Sequence, residues 1–153
     1  MTTAIAILNY NGAALLQQFL PSVLENSENA KVYVIDNGST DDSLAVLAEA
    51  FPAVTPIALG KNAGYAGGYN KGLQHIDADV VCLLNSDIKT TPNWLLPITA
   101  FLETHPEVAM VQPKIKNLAK PDHFEYAGAA GGYLDIMGLP YCRGRVGRKC
   151  KKD

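Results

Sequence analysis

Two apolar runs in this chain are continuous rather than alternating, and each ends in an acidic residue set among small polar ones. The first, Val32-Tyr33-Val34-Ile35, is closed by Asp36-Asn37-Gly38-Ser39-Thr40-Asp41-Asp42-Ser43. The second, Val80-Val81-Cys82-Leu83-Leu84, is closed by Asn85-Ser86-Asp87. Four or five apolar residues without a polar break fit a strand buried on both faces, as in a parallel sheet covered by helices. In open α/β sheets, ligands sit beyond the carboxyl ends of such strands. The pair Asp36 and Asp87 therefore predicts a polar-ligand site with a cation available to one carboxylate. Taken singly, each also fits a cap for the helix that follows. The case for a site rests on the pair.

The rest of the chain supplies the alternation that such a sheet needs. Ala4–Leu8 reads as a first strand ending at Asn9-Tyr10-Asn11-Gly12. Ala13–Glu28 reads as a helix, with Leu15, Leu16, Phe19, Leu20, Val23 and Leu24 at 3.6-residue spacing and a kink or break expected at Pro21. Lys31–Asp36 is the second strand, and Ser39 or Thr40 is placed to cap a helix running to about Phe51. Val54–Leu59 is a third strand, held to a sheet edge by Pro56. A helix is expected to start within the glycine-rich segment Gly60–Gly72 and to continue to about His75. Val80–Leu84, a helix over Asn93–Thr104 with Pro97 awkwardly inside it, and a fifth strand at Val108–Gln112 complete the βαβαβ pattern. Past Pro113, glycines punctuate a stretch of loops with room for a short hairpin.

Charge is unevenly spread. Residues 1–142 carry 7 basic and 14 acidic side chains, whereas the 11 residues from Arg143 carry 6 basic and one acidic. Such a tail fits an anionic membrane surface, nucleic acid, or simply a solvated end. No aromatic residue lies within Arg143–Asp153 to stack bases, which argues against nucleic acid. Cys82, Cys142 and Cys150 form neither a zinc pattern nor a disulfide framework, so a reducing, cytoplasmic setting is expected. No basic leader precedes the first strand, and no stretch approaches 18 apolar residues.

Several chemistries lack their residues. Gly60–Gly72 does not fit a P-loop, the first strand does not end in a dinucleotide fingerprint, and no Gly-x-Ser-x-Gly elbow occurs. His75, His105 and His123 are scattered without metal spacing. What is present suits a nucleoside diphosphate. Asn9, Tyr10 and Asn11 offer amides and a ring to a base, and Asp36 can accept from a pyrimidine N3–H. Gly64, Gly67 and Gly68 allow close main-chain approach, although a plain strand-to-helix loop accounts for them equally well, and Tyr65 and Tyr69 also read as packing residues. Asp87 suits Mg²⁺ or Mn²⁺ shared with phosphate oxygens.

Four motifs in order carry a resemblance: Ile7-Leu8-Asn9-Tyr10-Asn11, Asp36 through Ser43, Asn62 through Gly72, and Leu84-Asn85-Ser86-Asp87. They resemble family 2 glycosyltransferases, and within them the rhamnosyltransferase-like branch of surface-polysaccharide enzymes. The resemblance implies a GT-A fold: α/β, Rossmann-like, with a mostly parallel sheet flanked by helices, here over a single domain, residues 1–153. It implies transfer of a sugar from a dTDP- or UDP-sugar to a saccharide or lipid-linked acceptor, with inversion and a divalent cation. Carried over, it places Asn9, Tyr10, Asn11, Asp36, Asn62, Gly64, Gly68, Asn70, Asn85 and Ser86 on the donor nucleotide and Asp87 on the metal. Two departures stand out. Asn85 replaces the first acid of an Asp-x-Asp motif, and Tyr69 stands where many relatives carry Arg, which implies the loss of one phosphate contact.

Relatives continue with an acidic pair that supplies the general base, and no such segment follows Arg145. The expectation is of a truncated chain that binds donor without useful transfer, with Asp135 the first suspect if transfer occurs. Alternatives are a non-catalytic nucleotide-sugar binding module and a nucleotidyltransferase; the latter normally needs a basic loop after the first strand, and Asn9–Ala14 contains no Lys or Arg. No transmembrane segment is expected, and the basic tail leaves peripheral contact at the inner membrane surface open.

Overall fold

A computed structural model of the chain describes residues 1–27, 29–125, 132–134, 136–142, 145–146 and 149–150. The backbone divides into two units, Met1–His105 and Pro106–Asp153. The first contains β1 (Thr3–Asn9), α1 (Ala13–Asn26), β2 (Ala30–Asp36), α2 (Ser43–Ala50), β3 (Thr55–Ala58), α3 (Gly64–Gly72) with a 3-10 turn at Leu73–His75, β4 (Val80–Asn85) and α4 (Leu96–Thr104). All four strands are parallel, in the order β3-β2-β1-β4. Strand β1 thus has β2 on one side and β4 on the other, and the winding reverses there. Such a reversal opens a crevice at the carboxyl ends of the strands.

The side-chain period of two sorts each strand between two cores. Ile5 and Ile7 of β1, with Val32 and Val34 of β2, pack on Leu16, Leu20 and Val23 of α1 and Leu47 of α2. On the opposite face, Ala6 and Ile35 meet Tyr69 of α3. Strand β2 is buried on both faces as its continuous apolar run predicts. Strand β4 departs from that expectation, since Leu83 is 53% exposed. Among the described residues β4 has a strand neighbour on one side only, so an equally apolar run is less completely covered.

Other expectations need correction. Helix α1 runs through Pro21 undivided; Pro21 and Gln17, whose carbonyl loses its partner, both lie exposed. Neither Ser39 nor Thr40 caps α2. Its first N–H, on Ser43, is bound by Asp41 Oδ1 instead. Helix α4 begins at Leu96 rather than Asn93, which puts Pro97 in the first turn, where no N–H is required. Residues 108–112 form no strand. An apolar run becomes a strand only where a partner takes its backbone groups, and none of the described strands pairs with this one; Met110 is largely exposed.

Within the second unit, Lys116 and Phe124 form an antiparallel bridge. Strand β5 (Gly132–Leu134) pairs with β6 (Pro140–Cys142), and β7 (Arg145–Val146) with β8 (Lys149–Cys150), both antiparallel. These short pairs match the hairpin expected late in the chain. Asp135 lies outside the described residues, as do residues 126–131 and 151–153. No helix among the described residues is long and apolar enough to cross a membrane.

Candidate functional site

The carboxyl ends of β1, β2 and β4 and the loop entering α3 surround an open cleft of about 440 Å³. Its lining includes Tyr10 after β1, Asn37 after β2, Asn62, Gly64 and Tyr65 at the start of α3, and Asn85, Ser86 and Asp87 at the end of β4. Six of the residues expected from the sequence therefore meet on one surface: Tyr10, Asn62, Gly64, Asn85, Ser86 and Asp87. Tyr10 is half exposed.

Asn9 and Asp36 stand beneath the cleft rather than on its wall. Both are buried, at 0% and 2% exposure. Asp36 Oδ1 accepts the Ser39 N–H at 3.0 Å, and Oδ2 accepts from Asn9 Nδ2 at 3.3 Å. The same Asn9 amide donates to Ser39 Oγ at 3.2 Å, which also accepts the Asn11 N–H at 2.9 Å. Asn11 Oδ1 in turn accepts the Thr40 N–H at 2.7 Å. Two loops that follow neighbouring strands are thus stitched together by side chains, and Tyr10 is carried between two of the stitches. Asn9 Oδ1 is buried without a partner among the described residues and points at Gly12, where a Cβ would lie only 2.4 Å away. A side chain at position 12 would therefore have to displace the Asn9 amide from its network.

Asn37 was missed as a site residue, and it organises the opposite wall. It is buried, its Oδ1 accepts the Ala63 N–H at 2.9 Å, and its Nδ2 donates to Asn62 Oδ1 and Gly64 O, each at 3.1 Å. One amide from the end of β2 thereby fixes the entrance to α3. In the sequence Asn37 stands only as one of the polar run that follows β2, and nothing there points to a latch reaching 25 residues ahead. Gly68 serves the same packing: a Cβ there would lie 2.7 Å from Leu8 Cδ1 and 3.1 Å from Asn37 Nδ2. Its close approach is to protein, and Gly64, at φ +74°, is the expected glycine that lines the cleft. Asn70 is exposed on α3 and lies off the cleft lining.

Tyr65 and Tyr69, one helical turn apart, tie α3 to the end of β4. Tyr69 is buried and donates to the Leu84 carbonyl at 3.0 Å. Burial pushes its phenol upward, with Tyr65 beside it adding to the effect, so it remains a donor throughout the ordinary pH range. Tyr65 donates to Asn85 Oδ1 at 3.2 Å. Asp87 is exposed and has no hydrogen-bond or ion-pair partner among the described residues. No cluster of three His, Cys, Asp or Glu side chains able to hold a metal occurs among the described residues. The donor set at the end of β4 is oxygen-rich with a single negative charge. That fits Mg²⁺ or Mn²⁺ only when a ligand contributes further oxygens, as phosphates do.

The family model of glycosyl transferase family 2 matches residues 4–136. An undecaprenyl-phosphate 4-deoxy-4-formamido-L-arabinose transferase of Klebsiella pneumoniae is 30% identical over 88 residues, covering 50% of this chain and 27% of the relative. An uncharacterised glycosyltransferase of Haemophilus influenzae is 25% identical over 152 residues, covering 97% of this chain and 41% of the relative. The chain thus spans well under half the length of these relatives. Among solved structures, the mannosyltransferase PcManGT of Pyrobaculum calidifontis, in complex with GDP-Man and Mn²⁺, aligns with a TM-score of 0.60 at 21% identity over 75% of this chain and 34% of its own. S. aureus TarS in complex with UDP-GlcNAc gives 0.61 at 20% identity over 76% and 39%. At such identities the structural likeness speaks to the fold, which is GT-A.

Proposed function

This chain belongs to glycosyl transferase family 2, and from that premise we propose that its cleft holds the nucleotide part of a dTDP- or UDP-sugar whose sugar is transferred, with inversion, to a saccharide or lipid-linked acceptor of surface polysaccharide. The rhamnosyltransferase-like branch is the reading the sequence motifs favour. The observation that carries the proposal is the convergence of Tyr10, Asn62, Gly64 and Asn85–Asp87 on one cleft at the switch point of the sheet. Residues 1–153 are read as one nucleotide-sugar-binding domain of the larger enzyme type. Relatives named as undecaprenyl-phosphate transferases support a lipid-linked acceptor, and the named ligands UDP-GlcNAc and GDP-Man of the structural neighbours support a nucleotide-sugar donor.

Each residue then has a physical task. The Tyr10 ring stacks on the base, where an aromatic face contributes about 1–3 kcal/mol. Asn9 and Asp36 hold the two loops that carry Tyr10. Asn62 and Gly64 form the wall facing Tyr10, and Ser86 offers a hydroxyl to the phosphates. Asp87 would hold a divalent cation, whose charge offsets that of a departing diphosphate. With one carboxylate, the protein retains the cation only together with the ligand, so cation and nucleotide bind synergistically.

Calorimetric titration of the chain with UDP, dTDP and GDP, in Mn²⁺ and in EDTA, tests this reading. Binding of one nucleotide is expected to be about 10- to 100-fold tighter with Mn²⁺, the worth of a charge-assisted contact. Asp87→Ala should erase that difference and leave the EDTA affinity unchanged. Identical affinities with and without cation for every nucleotide would overturn the metal role of Asp87.

A further inference from the structure

We propose that Tyr65 is a positioning residue that sets the direction of the Asn85 side chain, so that Asn85 meets the ligand as a hydrogen-bond donor and not as a metal ligand. The proposal rests on the nucleotide reading of the cleft and deepens it. An amide offers a carbonyl oxygen with two acceptor lone pairs and an NH₂ with two donors. The acceptor, Asn85 Oδ1, is taken by the Tyr65 hydroxyl at 3.2 Å, whereas Nδ2 has no partner among the described residues. Both side chains line the cleft, with Ser86 and Asp87 adjoining Asn85. The NH₂ group is the part left wholly open to a ligand, and it suits an oxygen acceptor: a ribose hydroxyl or a phosphate oxygen.

Tyr65 is suited to this task although the residue is 65% exposed. It meets Tyr69 edge to face, with centroids 5.2 Å apart, and Tyr69 is itself buried and bonded to the Leu84 carbonyl at 3.0 Å. Leu84 immediately precedes Asn85. The two tyrosines therefore grip consecutive residues of β4, one by its backbone and one by its side chain. The ring of Tyr65 lies within a ladder that a phenylalanine would preserve, so the hydroxyl can be removed without disturbing the packing. The same arrangement explains how the end of β4 works with Asn where a second acid would stand. A carboxylate there would add charge for a cation, whereas the held amide adds a neutral donor for the ligand.

The test is a double-mutant cycle on the whole chain, read in two ways. In ¹⁵N spectra of the ligand-free protein, Tyr65→Phe should shift the Asn85 side-chain NH₂ signals toward those of a free amide while the backbone amides of α3 and β4 stay in place. In titrations with UDP or dTDP in EDTA, Tyr65→Phe should weaken binding by about 3- to 10-fold, the worth of one neutral hydrogen bond. It should have no further effect in an Asn85→Ala background. An undiminished effect in that background, or unmoved Asn85 signals, would overturn the proposal. A wild-type chain that binds none of the nucleotides would overturn the reading of the cleft and the ligand half of this proposal with it. That failure is told apart because the Asn85 signals still answer to Tyr65→Phe.

Discussion

Asp41 shows how much one side chain does away from the cleft wall. Its Oδ1 accepts the N–H and the hydroxyl of Ser43, and its Oδ2 accepts the Ala13 N–H at 3.0 Å. The first turns of α1 and α2, each with unsatisfied N–H groups and a partial positive charge, thus share one carboxylate. Burial works against its charge, but the bonds from Ser43 and Ala13 outweigh it and hold the carboxyl below the usual range. A folded-state value below the unfolded one means that the protonated form disfavours the fold. The stability contributed is complete above the ordinary carboxylate value and is lost as pH falls through the lowered one. Asp41→Asn is therefore expected to flatten the loss of thermal stability below about pH 4, measured by circular dichroism across an acid series. A wild-type and variant that lose stability in parallel there would refute the assignment. In the sequence Asp41 stands only as part of a polar run, because a side chain that reaches 28 positions back to another helix leaves no local signature.

At the scale of elements, α3 is the piece on which the cleft depends, and glycine sets its distance from the sheet. A Cβ on Gly72 would lie 2.4–2.7 Å from the side-chain atoms of Ile35 in β2. Gly72→Ala must push the helix outward or force Ile35 off its rotamer, at a cost of about 1–3 kcal/mol, measurable by urea denaturation. Ile35→Val, itself costing about 1 kcal/mol, should cost less when combined with Gly72→Ala; strict additivity would show that the two do not collide. The helices and the four strands were legible in advance because the 3.6-residue period and the continuous apolar runs are local properties. The start of α4 was not, since Pro97 reads as an interior breaker until the helix is seen to begin just before it. Residues 108–112 misled for a related reason: apolar composition records the ability to pair, and pairing is decided by what lies alongside.

For the whole molecule, the same division separates what the sequence yields from what it withholds. The cleft lies at the strand carboxyl ends, where open α/β sheets are expected to take ligands, and six expected residues line it. Which residues line the cleft and which hold them up was not legible. Asn9 and Asp36 look as available as Tyr10 until their burial is seen, and Asn37 looks like an ordinary turn residue. Among the described residues the parallel order β3-β2-β1-β4 also leaves β3 at an edge, and Pro56 gives that edge a consequence for the behaviour of the protein in concentrated solution. The Leu59 N–H bonds inward to the Asp36 carbonyl. Along a strand the N–H direction alternates, so position 56 faces outward, where proline has no hydrogen to offer. A four-residue strand missing an outward donor is a poor template for another chain, and the open side of the sheet is protected against fibrillar self-association. Pro56→Val should leave the fold intact, yet on prolonged incubation it should raise thioflavin fluorescence and sedimentable material above the wild-type level. Equal aggregation of the two proteins would mean that the edge is guarded by something else.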